Sequence, residues 1–372
     1  GDYPCIIVDD PRIALGDIAR AECKRIGCKV VGITGSVGKS TTKEMVATVL
    51  ESTFRIAKTP VNHNNDIGMP MAILAMPEDT EVAVLEMGMN HFREMAYLSS
   101  IAQPDIAVIV NIGSMHIEFL GSMEGVRQAK LEILEGMEKD GKLLRNLPKQ
   151  PVQSVTYFGG ADCCEVRCKD VQEENGTLKF DVCAANQCFH IEMALEGRHF
   201  VADAMAAVSV ALELGVSPMR IQEQLSMFRN MAGRQEIYQA KEYTIISDCY
   251  NAGPESMAAA LKVLGKRTGR RIAVLGDMLE LGDVTWAEHY KIGRIAAENA
   301  DAVYAYGPNA NRVTGGAITG GISPTLARIF NTHEEMAAAL KRLAKPGDVL
   351  LFKASRGMHL EKVLEAFLKE EK

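Results

Sequence analysis

Lys29-Val30-Val31-Gly32-Ile33-Thr34-Gly35-Ser36-Val37-Gly38-Lys39-Ser40-Thr41-Thr42 is the stretch that decides the fold of this chain. Lys29 to Ile33 reads as a short strand, and Thr41 to Leu50 carries the period of a helix. The turn between them is a phosphate cradle. Its glycines let successive backbone N–H groups line one concavity, and the helix N-terminus adds positive potential. Lys39 can then reach terminal phosphates, and the Ser40 hydroxyl can hold magnesium. Strict Walker spacing would need glycine at position 33, where this chain has Ile33, so the match is to a shorter form, Gly35-x-x-Gly38-Lys39-Ser40.

Outward from that loop, strand and helix keep alternating. Val82 to Leu85 precedes His91 to Ile101, and Ile106 to Val110 precedes Met123 to Met137, which predicts a parallel sheet wrapped by helices. Val155 to Leu195 differs. Its period-two alternation around Glu174-Asn175-Gly176 predicts a small antiparallel hairpin attached to the first domain. Helical segments from Val201 to Leu214 and Ser217 to Met227 close that domain near Arg234. The alternation then resumes from Thr244 to Lys353, predicting a second, smaller Rossmann-like α/β domain. The division expected is residues 1–25 as a linker, 26–233 as a P-loop ATPase domain and 234–372 as the Rossmann-like domain.

Composition narrows the function. The 372 residues are 47% hydrophobic and 24% charged, and 41 Lys+Arg against 48 Asp+Glu leave a net charge of -7. With no basic stripe, neither nucleic acid nor an anionic membrane surface is an expected partner. The apolar runs fall well short of the roughly 20 residues of a membrane helix. Gly1-Asp2-Tyr3-Pro4 has no leader character, and nine cysteines without framework spacing suit a reducing compartment, so a cytoplasmic, monomeric protein of small-molecule chemistry is expected. Cys163, Cys164, Cys168, Cys183 and Cys188 fall in the hairpin region. Their spacing fits a zinc ribbon poorly, and they read as strand thiols.

Phosphoryl chemistry needs metal ligands and an acceptor site. Glu86 and His116 both follow strands, at the carboxyl edge where parallel sheets bind ligands. Either could instead be ordinary: Glu86 a helix cap or loop acid, His116 a satisfied half-buried histidine. Lys130 lies in a helical segment and, from periodicity alone, reads as a solvated surface cation. The polar tract Thr59 to Gly68, with Asn62, Asn64 and Asn65, has loop composition and either contacts substrate or is merely solvated.

These motifs together resemble the Mur ligases of peptidoglycan precursor synthesis. The resemblance rests on Gly35 to Glu44, Asn62 to Gly68, Glu86-Met87-Gly88, Asn111-Ile112-Gly113 with His116, and Ala129 to Ile133. In the second domain it rests on Tyr250 to Pro254, Gly276 to Gly282 and Lys353-Ala354-Ser355-Arg356, which are similar to the branch that adds D-alanyl-D-alanine. It implies an ATP-dependent amide ligase acting on a UDP-muramoyl tripeptide, with two magnesium ions. By resemblance, Gly35, Ser36, Val37, Gly38, Lys39, Ser40 and Thr41 hold the nucleotide with Arg234, Asn251 and Asp277. Ser40, Glu86, His116 and a carbamylated Lys130 are the metal ligands, and Lys39, Glu86, His116 and Lys130 form the catalytic set. Asn64, Asn65, Lys353, Ser355 and Arg356 are placed at substrate. The family also has a small uridine-binding domain ahead of the equivalent of Ile7, so residues 1–25 are expected to be its remnant. Three departures stand out: Ser247 and Gly253 replace a common Asp and Asn, and Phe200 and Asp203 occupy a segment usually rich in Asn.

Overall fold

The computed structural model describes residues 5–137, 141–145, 155–185 and 187–369. The opening Gly1 to Pro4 lies outside them. Two compact units emerge. The first runs to Gly113 and adds Ser122–Ala194 and Arg198–Phe228; the second is Arg229–Lys372 with Ser114–Gly121 and Leu195–Gly197. The chain passes between units at 228/229, a few residues before Arg234, and two short stretches within the first 200 residues join the second unit.

The first unit begins with α1 (Pro11–Ile26), where the sequence reading expects a linker. The helix has a local cause. Asp10 accepts hydrogen bonds from the N–H groups of Arg12 and Ile13, Pro11 fits the first turn, and Gly27 ends the helix in the left-handed region at φ 69°. It packs on α3 and α4 as part of the unit rather than as a tether. There follow β1 (Lys29–Thr34), α2 (Lys39–Glu51), β2 (Ile56–Lys58), α3 (Gly68–Leu74), β3 (Val82–Glu86), α4 (Glu94–Ala102) and β4 (Ile106–Ile109). After α5 (Ile117–Leu120), which belongs to the second unit, come α6 (Met123–Leu131), β5 (Lys142–Arg145), β6 (Val155–Gly159), β7 (Val166–Glu174), β8 (Thr177–Ala184), β9 (Gln187–Met193), α7 (Phe200–Glu213) and α8 (Pro218–Met227).

One nine-stranded sheet runs through the unit in the order β2-β3-β1-β4-β5-β6-β7-β8-β9. It is parallel from β2 to β7, and β3 is buried along its whole length, as expected of a strand covered on both faces. The expected hairpin is larger than its sequence signal. β7, β8 and β9 form a three-stranded antiparallel extension of the main sheet. Asn175 and Gly176, both at positive φ, make the two-residue turn between β7 and β8, while Leu178, Phe180 and Val182 alternate inward from β8. Cys183 and Cys188 oppose each other across β8 and β9 and are joined by a disulfide, which corrects the reading of both as free strand thiols. Their pairing depends on strand register, which spacing alone does not reveal.

The second unit contains β10 (Glu236–Ala240), β11 (Tyr243–Asp248), α9 (Pro254–Gly265), β12 (Arg271–Gly276), α10 (Thr285–Asn299), β13 (Ala302–Tyr306), α11 (Ala310–Thr319), β14 (Ala327–Phe330), α12 (His333–Leu343), β15 (Val349–Lys353) and α13 (Glu361–Leu368). Its sheet has the order β10-β11-β15-β12-β13-β14, parallel except for β10. Neighbouring strand residues face opposite cores. Ile246, Ala273, Leu275 and Leu351 pack with α9, α10 and α11, whereas Ile245, Ile272, Val274, Leu350 and Phe352 pack with α12 and α13. Helices on both faces of a largely parallel sheet make this a doubly wound unit, as the alternation predicts. No helix among the described residues is long and apolar enough to cross a membrane.

Candidate active site

In the first unit the phosphate loop leaves β1 and enters α2 through Gly38, whose φ of 84° favours glycine. The loop is braced from the end of β4. Asn111 Oδ1 accepts from the N–H groups of Ser36 and Val37 at 3.1 and 3.0 Å, and its Nδ2 donates to Val37 O at 2.8 Å. The Ser36 hydroxyl donates to Gly113 O and accepts from Gly113 N–H. Two amides expected to face phosphate, those of Ser36 and Val37, are thus engaged with Asn111. The first turn of α2, with Lys39, Ser40 and Thr41, supplies the helix N-terminus. Lys39 Nζ donates to the loop's own Gly35 O at 2.8 Å, a position from which its long stem can swing to an anion.

Beside the loop sits Glu86, the last residue of β3 and only 3% exposed. One carboxylate oxygen accepts from the Ser40 hydroxyl at 2.7 Å and the other from Asn64 Nδ2 at 2.9 Å. Asn64 is thereby drawn to the Glu86 carboxylate, and its backbone O accepts from Gly88 N–H at 2.8 Å. Asn65 is used differently. Its Oδ1 accepts from Gly68 and Ile67 N–H groups, capping α3. The unanticipated member is Lys43, fully buried, whose Nζ donates to Thr59 O at 2.7 Å and lies 4.0 Å from Glu86 Oε2.

Lys130, on α6, is 1% exposed, which overturns the surface reading from periodicity. Burial, and then the nearby Lys39 charge, hold its amine well below the ordinary lysine range. A second buried group missed by sequence is Asp203 on α7. Its Oδ1 accepts from the Thr42 hydroxyl at 2.9 Å, and its carboxylate lies directly against Gly38.

In the second unit the marked residues gather where β11, β12, β13 and β15 end, the edge at which such sheets bind ligands. The Arg234 guanidinium lies 3.7 Å over the Tyr250 ring. Asn251 Oδ1 accepts from Ala252 N–H, and its backbone O accepts from Lys353 Nζ. Lys353, 2% exposed, also donates to Asp248 Oδ2 at 2.7 Å, while buried Ser355 donates to Ala252 O and accepts from Leu279 N–H. These two brace the loops after β11 and β12, whereas Arg356 is exposed and near Glu361. Asp277 accepts from Asn309 N–H and Nδ2, a partner that sequence reading missed at the end of β13. His289 fixes the same turn. Its Nδ1 faces Thr285 O at 2.7 Å and its Nε2 accepts from Met278 N–H, which selects the neutral tautomer protonated at Nδ1.

His116 also belongs to the second unit, where its Nδ1 meets Glu280 Oε2 at 2.6 Å. A Cβ at position 253 would overlap the Met115 sulfur. The structure thus joins Lys39, Ser40, Glu86, Asn64 and Lys130 in one unit and Arg234, Asn251, Asp277 and His116 in the other.

A phosphate loop with a buried carboxylate on its serine, followed by a doubly wound unit with its own ligand edge, defines a nucleotide-binding protein of the phosphate-loop class. Comparison narrows that class. The Mur ligase middle domain matches residues 33–211, and the Mur ligase glutamate ligase domain matches 233–356. The chain belongs to the Mur ligase family. It is 38% identical to the UDP-N-acetylmuramoyl-tripeptide–D-alanyl-D-alanine ligase of Bacillus subtilis, over 98% of this chain and 81% of that protein. Among solved structures, MurF from Acinetobacter baumannii has a TM-score of 0.89 at 31% identity, covering 99% of this chain and 84% of that one. MurF ligase from Thermotoga maritima in complex with ADP has a TM-score of 0.87 at 29% identity, covering 98% and 85%.

Proposed function

We propose that this chain is a cytoplasmic, monomeric ATP-dependent ligase that joins D-alanyl-D-alanine to a UDP-N-acetylmuramoyl tripeptide, forming a C–N bond through an acyl phosphate. The likeness to ligases of that name supports the substrate assignment, and the cluster of Lys39, Ser40, Glu86 and Lys130 supports the chemistry.

The donor set suits magnesium. The Ser40 hydroxyl and Glu86 carboxylate are hard oxygen donors side by side, and no three His, Cys, Asp or Glu residues cluster to hold a metal among the described residues. Magnesium commonly takes one or two carboxylates and completes its shell with water and phosphate, so a sparse protein set fits. When bound, the ions would neutralise phosphate charge as carboxylate and ATP meet.

The chain's own groups do the rest. Lys39 exchanges the Gly35 carbonyl for the terminal phosphate and draws off charge as the tripeptide carboxylate attacks phosphorus and ADP leaves. The amine of D-alanyl-D-alanine then attacks the acyl carbon, releasing phosphate and leaving the amide. Lys130, whose amine burial holds below the ordinary lysine range, is suited to take up carbon dioxide, releasing a proton and becoming a carbamate that offers an oxygen ligand beside Lys39. His116, oriented by Glu280, is assigned to the second ion. Arg234, Asn251 and Asp277 are assigned to the nucleotide. Among the substrate assignments Asn64 and Arg356 remain as contacts, and Asn65, Lys353 and Ser355 act by shaping the loops. A folate polyglutamate ligase or a non-catalytic nucleotide module are the rival readings.

Hydroxylamine trapping tests the intermediate. With ATP and the UDP-linked tripeptide but no dipeptide, hydroxylamine should capture the acyl phosphate as a hydroxamate with matching ADP. Hydroxamate formation with a folate polyglutamate acceptor instead, or ADP formation indifferent to the tripeptide, would overturn the assignment.

A further inference from the structure

At the opposite edge of the first unit's sheet from the phosphate loop, where β1 and β4 begin, lies a cleft of about 270 Å³. It is lined by Cys23 and Cys28 with Lys29, Gln103 and Asp105. The two cysteines meet for a local reason. Gly27 terminates α1 with its N–H on Cys23 O, and a cap of this kind brings the residue after the glycine onto the helix residue four before it. Here those residues are Cys28 and Cys23, both free cysteines lining the one cleft.

We infer that Cys23 and Cys28 form a peroxide-reactive dithiol, with Cys28 as the attacking thiol and Cys23 as the resolving one.

Two observations assign those roles. Cys28 is partly exposed at the cleft, whereas Cys23 is 6% exposed. The Cys23 side chain pulls the Cys28 thiol below the ordinary range, with the backbone of Cys28 and Ala83 adding to the effect, whereas Cys28 and burial push the Cys23 thiol above it. An accessible, acidified thiol beside a second thiol is the arrangement of redox-sensing cysteines.

The chemistry balances. Cys28 thiolate attacks one oxygen of hydrogen peroxide, the O–O bond breaks, and a proton completes the leaving hydroxide as water, giving a sulfenic acid. Cys23 then attacks that sulfur, forming the S–S bond and releasing a second water. Peroxide is reduced by two electrons, and the two thiols lose two hydrogens. The bond would fasten the end of α1 to the start of β1. β1 is six residues long, so at about 3.3 Å per residue the pair stands roughly 20 Å of strand from the phosphate loop.

The test uses the full chain and hydrogen peroxide itself. Lys24 and Arg25 separate the two cysteines, so trypsin cuts the connecting segment and only a disulfide keeps the two peptides together. Timed oxidation, alkylation and peptide mass spectrometry should show that linked pair appearing severalfold faster than oxidation of exposed Cys5 or Cys163, because the acidified Cys28 holds more thiolate. Cys23→Ser should halt the reaction at a Cys28 sulfenic acid that dimedone captures, and Cys28→Ser should leave Cys23 unlabelled. A linked pair that forms no faster than Cys5 oxidises would overturn the proposal. So would a Cys23→Ser protein that still binds ATP yet gives no dimedone adduct at Cys28. The kinetic arm uses the unaltered chain, so it stands whether or not either variant folds.

Discussion

Gly38→Ala is the substitution whose cost the structure fixes most closely. Position 38 has φ 84°, where an L side chain costs about 1–2 kcal/mol. The added Cβ would also overlap Asp203 Oδ1 and lie 3.1 Å from its Cγ, so the buried carboxylate must move and release the Thr42 hydroxyl. Losing a hydrogen bond between buried groups costs about 1–3 kcal/mol, giving a total of about 2–5 kcal/mol in the first unit. The chain's single tryptophan, Trp286, is in the second unit and is blind to this change, which makes its fluorescence an internal control. Hydrogen exchange of β1 and α2 amides is the informative assay, and their exchange should accelerate by about one and a half to three and a half orders of magnitude. ATP affinity should fall as well, because relief of the overlap displaces the loop. In a double-mutant cycle with Asp203→Ala the two changes should be sub-additive by at least about 1 kcal/mol, since removing the carboxylate removes the overlap. A Gly38→Ala protein within about 0.5 kcal/mol of the parent, or strict additivity in the cycle, would refute the claim that Asp203 supports the loop from beneath.

Three further outcomes are expected. Lys39→Ala should lower kcat by at least about two orders of magnitude with the fold intact, read from steady-state turnover beside circular dichroism, because the lysine acts on transferring charge and packs little. Asp277→Ala should raise the Kd for ATP in calorimetry, since it releases Asn309 and loosens the turn after β12, and an unchanged Kd would remove Asp277 from the nucleotide site. Lys130 links stability to pH. Its folded pKa is depressed, so between that value and the ordinary 10.5 the unfolded chain holds more protons and stability must rise with pH. Lys130→Met should be more stable than the parent at neutral pH and show a flatter pH dependence in denaturant midpoints, while losing any response of activity to dissolved carbon dioxide.

The phosphate loop was legible because its chemistry is local: glycines, lysine and serine in sequence between a strand and a helix. The second unit was legible because doubly wound sheets repeat one pattern, whose β-branched runs face two cores. Lys130 was not, because periodicity sees a cation in a helix and cannot see that tertiary packing buries it near Lys39. Asp203 and Lys43 share that blindness, since α7 and the Thr59 loop reach α2 only through the fold. The Cys183–Cys188 bond required the β8/β9 register. α1 is a different kind of miss. Asp10-Pro11 and Gly27 are ordinary helix start and stop signals, and the expectation of a linker hid them.

Coupling of ATP cleavage to one particular amide bond is the activity assigned to this fold. The direct measurement is mass spectrometry of the products when the chain is given ATP, magnesium, UDP-N-acetylmuramoyl tripeptide and D-alanyl-D-alanine, with ADP and phosphate quantified alongside. A UDP-linked pentapeptide should form in equal amount with ADP and phosphate, with no sustained ADP release when either peptide substrate is omitted. ADP release that ignores both peptides, or a folded, ATP-binding chain that yields no pentapeptide, would contradict it.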